Sequence, residues 1–364
     1  MTAGPSDELI RPILDNILPR PVLVDIGASA EVPRVWRTLA PHSIYVGFDP
    51  DLREMREENG AQFHQAFVLN QAVTPDAAAD CVTFHLTRHP QCSSTLLPNR
   101  AVVDNYLFPE RFDVERQTRV DATTLNAAVG RLNLDRIDWL KLDTQGTDQR
   151  LFESLSEKLQ SSLLAVDAEP GLRGAYNEED HFGDLHKVMV RNGFWCTAAV
   201  VKGLPRVRQA TLTALADGFG DTRGGIGWGT GAGACHLLSR VLPCAPGWIE
   251  CRYLRTIEWL AANSADRRSH ILLWTFAVAA AQPGFAADVA AHYGQQFGLD
   301  EHWRSMASAT VNRMRHLWME HCTREARQRG LLPIIRRRLK RLAIKLGSVN
   351  PWSVARDVAS NRLP

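Results

Sequence analysis

The chain of 364 residues is 45% hydrophobic and 23% charged, which excludes disordered and collagen-like classes and allows a sizeable buried core. A formal charge of +2, from 42 basic and 40 acidic residues, gives no reason to expect nucleic acid as a partner. Seven cysteines without a CxxC pair argue against a disulfide framework or a zinc ribbon; with Asp7, Glu8 and Asp15 where a signal peptide needs an apolar stretch, they predict a cytoplasmic protein.

The first clear element is PVLVDIGA, an apolar run over 21–26 that ends in Gly27, as a buried parallel strand entering a turn does. Val32, Val35, Trp36 and Leu39 recur at helical spacing and predict a helix after it. IYVGFD over 44–49 predicts a second strand, and Pro50 opens a short charged helix through Glu58. AQFHQAFVL, CVTFHLT, IDWLKLD over 137–143, SLLAVDA over 162–168 and GFWCTAAVV over 193–201 continue the series of strands. Helical stripes lie between them: Leu151, Phe152, Leu155 and Leu159, then 178–192 ended by Gly193. The alternation predicts an α/β protein with a doubly wound, mostly parallel sheet.

Eight glycines between 218 and 233 predict an irregular insertion, open between a solvent loop and an active-site lid, with a last strand over 234–241. Helical character follows. Ile249, Tyr253, Ile257 and Leu260 form one stripe, the run 271–281 is a buried helix too short to cross a bilayer, and Trp303, Met306, Thr310, Met314 and Leu317 form another stripe.

The chemistry is concentrated at strand ends. Asp25 ends the first strand before Gly27 and Asp49 ends the second, and an acid there accepts hydrogen bonds from a ribose diol. The turn IGASAE lacks the GxGxxG that brings a dinucleotide pyrophosphate to the backbone, which disfavours an NAD-dependent oxidoreductase. An adenosine ligand without phosphates, S-adenosylmethionine, tolerates this turn.

The chain resembles the FkbM family of S-adenosylmethionine-dependent methyltransferases. The resemblance is carried in order by VDIGA, GFDPD at 47–51, NQAVTPD around Ala72, CSSTLLP at 92–98, VDATTLNAAV at 120–129 and IDWLKLDTQGTDQRLF at 137–152. It implies a Rossmann-like domain of class I methyltransferase type over 1–245, O-methylation of a sugar or glycoconjugate hydroxyl, and S-adenosylmethionine as cofactor. A polyketide or other secondary metabolite is the alternative acceptor. It places Asp25, Gly27 and Ala28 on the methionine side, Asp49 on the ribose, Asn70, Gln71 and Ala72 on the adenine, and Ser93 and Ser94 near the substrate mouth. The chain departs from the family at Gln145, where the block usually reads Glu, and at Ala30 and Pro33. A non-catalytic cofactor-binding protein of the same fold is therefore the rival reading.

Methyl transfer to an alcohol calls for a general base worth about 10² to 10⁴ in rate. Asp143 and Glu169 end the fourth and fifth of the strands and share a rim with Asp25 and Asp49, which makes them the preferred bases; His85 and His89 are the rivals. No metal is expected on Asp167 and Glu169, and Lys141, inside a strand, is expected to be structural. A helical appendage is expected over 246–330 and a basic amphipathic tail over 331–364. Over 331–346 of that tail Ile335, Leu339, Leu342 and Leu346 share one face amid six cations and no acid, and two readings stay open: docking on anionic lipid, as a peripheral enzyme of lipid-linked glycan would, or packing on the appendage.

Overall fold

The computed structural model describes residues 7–15, 17–28, 31–51, 53, 60–212 and 239–328. It divides into two compact units, Met1–Thr310 and Val311–Pro364, and the first contains all strands. The strands are β1 (Val22–Ile26), β2 (Ile44–Phe48), β3 (Gln65–Leu69), β4 (Ala72–Val73), β5 (Cys81–Thr87), β6 (Val114–Thr123), β7 (Trp139–Leu142), β8 (Ala165–Ala168), β9 (Phe194–Pro205) and β10 (Cys244–Arg255). The main helices are α1 (Asp7–Leu14), α2 (Arg100–Val103), α3 (Leu125–Arg131), α4 (Asp148–Glu153), α5 (Glu157–Ser162), α6 (Phe182–Arg191), α7 (Ile257–Ala262), α8 (Arg267–Ala279), α9 (Pro283–Phe297) and α10 (Glu301–Gln328).

Seven strands form one sheet in the order β3-β2-β1-β7-β8-β10-β9, and β4-β6-β5 form a smaller one. In the large sheet β3, β2, β1, β7 and β8 pair in parallel, and β10 runs antiparallel to both its neighbours. The fold is therefore α/β with a mostly parallel sheet. Side chains alternate across each strand, so both faces need cover. Val22, Val24 and Ile26 of β1 join Leu140 and Leu142 of β7 in a core with α3, α4, α5 and α6. Leu23 and Trp139 face the other way, into a core built with α1, α7, α8, α9 and the start of α10. Trp139 stands edge-on to Trp36 at 6.0 Å and tilted against Phe276 at 4.9 Å, and such pairs add to area burial.

Four expectations change. The helix expected through Val32 to Leu39 is a pair of 3₁₀ turns, Arg34–Trp36 and Ala40–His42, because Pro33 and Pro41 withhold the backbone donors an α-helix needs. The stripe Leu151 to Leu159 is split between α4 and α5, where Ser156 caps the second helix by accepting from Leu159 N at 3.4 Å. Ile249 and Tyr253 lie on β10, where Ile249, Cys251 and Tyr253 alternate into one core, and α7 starts only after Thr256 accepts from Trp259 N at 3.1 Å. The boundary expected at 245/246 thus falls inside a strand of the sheet. Ser239 to Val241, expected in the last strand, are helical.

The buried helix expected over 271–281 is α8, whose residues from His270 to Val278 are all buried. CVTFHLT forms β5, but it pairs with β6 rather than joining the large sheet. The rest of the expected last strand, the glycine-rich insertion, most of the charged helix after Pro50 and the basic tail lie outside the described residues. Among the described residues no helix is long and apolar enough to cross a membrane.

Asp138, 1% exposed, ties the helical layer to the sheet. Its carboxylate accepts from Arg268 Nη1 at 2.7 Å and Nη2 at 2.9 Å, and from Val22 N at 2.8 Å. Removing the acid leaves a guanidinium enclosed without its counter-charge. Asp138→Ala is expected to lower the unfolding free energy by about 3–5 kcal/mol in urea titrations; a change near zero would show that the pair does not hold these layers together.

Candidate functional site

A cavity of about 410 Å³ opens at the carboxyl ends of the parallel strands. Its floor is Ile26 at the end of β1 and Gly27 after it, Phe48 at the end of β2 and Asp49 after it, Asp143 after β7 and Glu169 after β8. Two turns meet there at backbone distance. Gly27 has φ of +86°, and a Cβ on it would stand 2.2 Å from Asp143 O, so the position accepts glycine for both conformation and space. The far wall is formed by the 3₁₀ turns Pro90–Cys92, preceded by His89, and Pro109–Phe112, which carries Arg111, and by Arg173, Tyr176 and Glu179 in the segment between β8 and α6.

Beneath the floor runs a row of charges. Asp25, Lys141, Asp167 and Arg252 occupy one register level across β1, β7, β8 and β10. Asp25, 2% exposed, accepts from Lys141 Nζ at 2.9 Å and from Tyr45 Oη at 3.4 Å. Lys141 Nζ also lies 3.4 Å from Gly27 O and 3.6 Å from Asp143 Oδ2. Arg252 grips Asp167 at 2.7 and 2.8 Å. Burial works against the Lys141 ammonium, but Asp25, Asp143 and Glu169 outweigh it and hold the ammonium charged beyond its ordinary range. Three acids around one cation leave an excess of negative charge. Burial pushes the Asp25 carboxyl up even against Lys141.

Glu169 shows the same excess at the rim: burial first, then the Asp143 carboxylate, push it up to about 9, against the pull of Lys141. Asp143 Oδ1 accepts from Gln145 Nε2 at 2.8 Å, and Gln145 Oε1 accepts from Tyr176 Oη at 3.1 Å. To make this bridge Gln145 adopts a left-handed φ of 56°, a conformation unusual for a residue with a Cβ. Asp148, buried at the start of α4, accepts from Thr144 Oγ1 at 2.6 Å and from Glu169 N at 2.9 Å, which fastens the two rim turns to each other.

Of the residues expected at a site, Gly27, Asp49, Gln71, Ala72, His89, Ser93, Asp143 and Glu169 line this one cavity. Four others do not. Asp25 belongs to the charge row, because in-strand alternation turns its side chain with Leu23 toward the layer under the sheet. Ala28 is buried in the turn, with its N–H donated to Phe48 O. Asn70 folds back to donate to Asp49 O at 2.7 Å. Ser94 donates to Gln145 O at 2.9 Å and accepts from Leu96 N at 3.0 Å.

The Ser93 hydroxyl reaches the wall but is engaged by Arg53 Nη2 at 3.0 Å and Thr87 N at 3.1 Å, so it shapes the loop. His85 is buried behind the wall, and its backbone bridges to Ser94. Lys141, expected to be structural, pairs with Asp25 beneath the floor and does not line the cavity. Arg111, Arg173 and Tyr176 have no motif to mark them; their only sequence signal is that Arg173 and Tyr176 closely follow the end of β8.

No family model, curated protein or solved structure matches the chain.

The raised Glu169 carboxyl binds its proton more tightly in the folded chain than in the unfolded one. Its contribution to stability is complete below its ordinary value of 4.5 and is lost as pH rises through about 9. Thermal melts of Glu169→Gln against the native chain should therefore diverge over that window, the variant gaining relative stability as pH rises. Parallel curves would mean that Glu169 titrates normally.

Proposed function

We propose that this cavity binds S-adenosylmethionine and that the protein is an O-methyltransferase of the FkbM type, acting on a hydroxyl of a sugar or glycoconjugate. One observation carries the reading: Gly27 and Asp49, the residues for the cofactor's methionine side and ribose, share a single cavity with Asp143 and Glu169, the residues for a proton. The sheet supports it as well. Strand order reverses beside β1, with β2 and β3 to one side and β7 and β8 to the other, and such a switch point is where α/β sheets seat nucleotides. This order and its antiparallel β10 suit a class I methyltransferase.

The residues present fit the cofactor. The volume lies within the range of small-molecule sites, Phe48, Val73 and Phe84 offer apolar surface, and Gly27 keeps the β1 turn free of a side chain. Asp49 would take the ribose hydroxyls, its Oδ1 held in place by Asp51 N at 2.7 Å, while Gln71 and Ala72 would flank the base. When bound, S-adenosylmethionine supplies an electrophilic methyl group.

The chain's own part is alignment and proton removal. Asp143, fixed by Gln145 on one oxygen and facing Lys141 with the other, takes the hydroxyl proton of the acceptor. Glu169 holds its proton at neutral pH and so serves as a hydrogen-bond donor on the rim. His89, on the opposite wall, is the second base within the cavity. The rival reading, a cofactor-binding protein without turnover, draws on the same Gln145, which occupies one oxygen of Asp143.

Calorimetry with S-adenosylmethionine and S-adenosylhomocysteine tests the cofactor, and methyl transfer to a panel of sugar acceptors tests the reaction. Asp49→Ala should weaken cofactor binding by about 10- to 100-fold, the loss of a charge-assisted hydrogen bond. Asp143→Asn should leave binding unchanged and lower turnover by about 10² to 10⁴. No binding of either ligand would sink the proposal, and binding without product on every acceptor would favour the rival.

A further inference from the structure

The cavity has two electrical ends. Asp49, Asp143 and Glu169 crowd the floor, whereas Arg111 and Arg173 stand on the far wall. Arg173 is the unusual one. Its Nε and Nη1 are buried and have no hydrogen-bond partner, although a guanidinium carries five donors in a fixed fork. Its Cζ lies 4.1 Å from the ring centre of Tyr106 and 6.0 Å from that of Phe112, so two aromatic faces fix its plane. Burial lowers its pKa, against the opposing pull of Tyr106, Glu179 and Tyr176. The nearby acid, Glu179, is itself pushed up by burial, and its Oε2 accepts from Tyr176 N at 3.3 Å.

Arg111 points to the same place. Its Cζ sits 4.5 Å over the Phe108 ring, and both guanidinium groups draw down the Cys92 thiol that burial pushes up to about 11. Two arginines lining one cavity, both acting electrostatically on the Cys92 thiol and one with two buried donors unpartnered, form a receptor for an oxyanion. The adenosine residues lie elsewhere: Arg173 Cζ is 3.7 Å from where a Cβ of Gly247 would be, on β10, three places across the sheet from β1.

We propose that Arg173 and Arg111 bind an oxyanion, carboxylate or phosphate, carried by the methyl acceptor, so that the substrate is an acidic or phosphorylated sugar rather than a neutral one. The assignment of the anion to the acceptor rests on the methyltransferase reading; the anion site itself does not. Tyr176 links the two ends, its hydroxyl reaching Cys92 O at 2.9 Å on the arginine side and Gln145 on the Asp143 side. An acceptor held by its anion at the arginines presents its hydroxyl toward Asp143.

Equilibrium dialysis of the full chain with inorganic phosphate, and separately with acetate, tests this, each with and without saturating S-adenosylhomocysteine. One of the two anions should bind with a dissociation constant of about 1 mM or lower, and the tighter one identifies the acceptor's group. Arg173→Gln and Arg111→Gln should each weaken it at least about tenfold while leaving S-adenosylhomocysteine affinity unchanged.

If Arg173→Gln does not fold, the native chain still decides, because the bound anion must slow phenylglyoxal modification of Arg111. Failure of both anions to bind overturns the proposal. Displacement of the anion by S-adenosylhomocysteine also overturns it, since the arginines would then serve the cofactor's carboxylate. If S-adenosylhomocysteine does not bind but phosphate does, the anion site stands and the methyltransferase reading falls.

Discussion

The site depends on the ion pair between Asp25 and Lys141. Both groups are enclosed, and a pair of charges taken out of water is tolerated only where geometry and further partners offset the desolvation. Here the partners come from strand register: Asp25, Lys141, Asp167 and Arg252 alternate in sign across four strands at one level. The row anchors an ammonium directly under the rim, against Gly27 O and Asp143. At the rim, burial and then the Asp143 carboxylate push the Glu169 carboxyl up, against the pull of that ammonium.

Division of the cavity into acidic floor and basic wall follows from the topology. Parallel strands end on one side, and the turns after β2, β7 and β8 deliver carboxylates there while the turn after β1 delivers Gly27. The smaller sheet and the segment before α6 fold over that edge and bring arginines backed by aromatic rings. Gln145 and Tyr176 connect the two halves by hydrogen bonds and define the distance between them.

Strands with continuous apolar runs were legible in the sequence because burial on both faces leaves no polar alternation, as in β1 and β7. Asp49, Asp143 and Glu169 were legible for a simpler reason: each follows the last residue of such a run and so emerges at the edge. Asp25 was not, since it stands one residue inside its strand and alternation sends it under the floor. β10 was hidden because Ile249, Tyr253, Ile257 and Leu260 satisfy a helical period that bridges a strand and the next helix. Ser93 and Ser94 lie in the right segment, but their hydroxyls are engaged by Arg53 and Thr87 and by Gln145 and Leu96, which spacing does not reveal. Arg173 is invisible to motifs, because its significance comes from idle donors and from rings distant in the chain.

The contact at Gly27 has a wider meaning. With Asp143 O where a methyl group would otherwise sit, the bends leaving the first and fourth parallel strands are wedged into one another without an intervening side chain. Neither can swing independently. Whatever seats itself against one bend is gauged from the other by main-chain atoms alone, so the spacing between the two bends is written into the scaffold rather than into a rotamer.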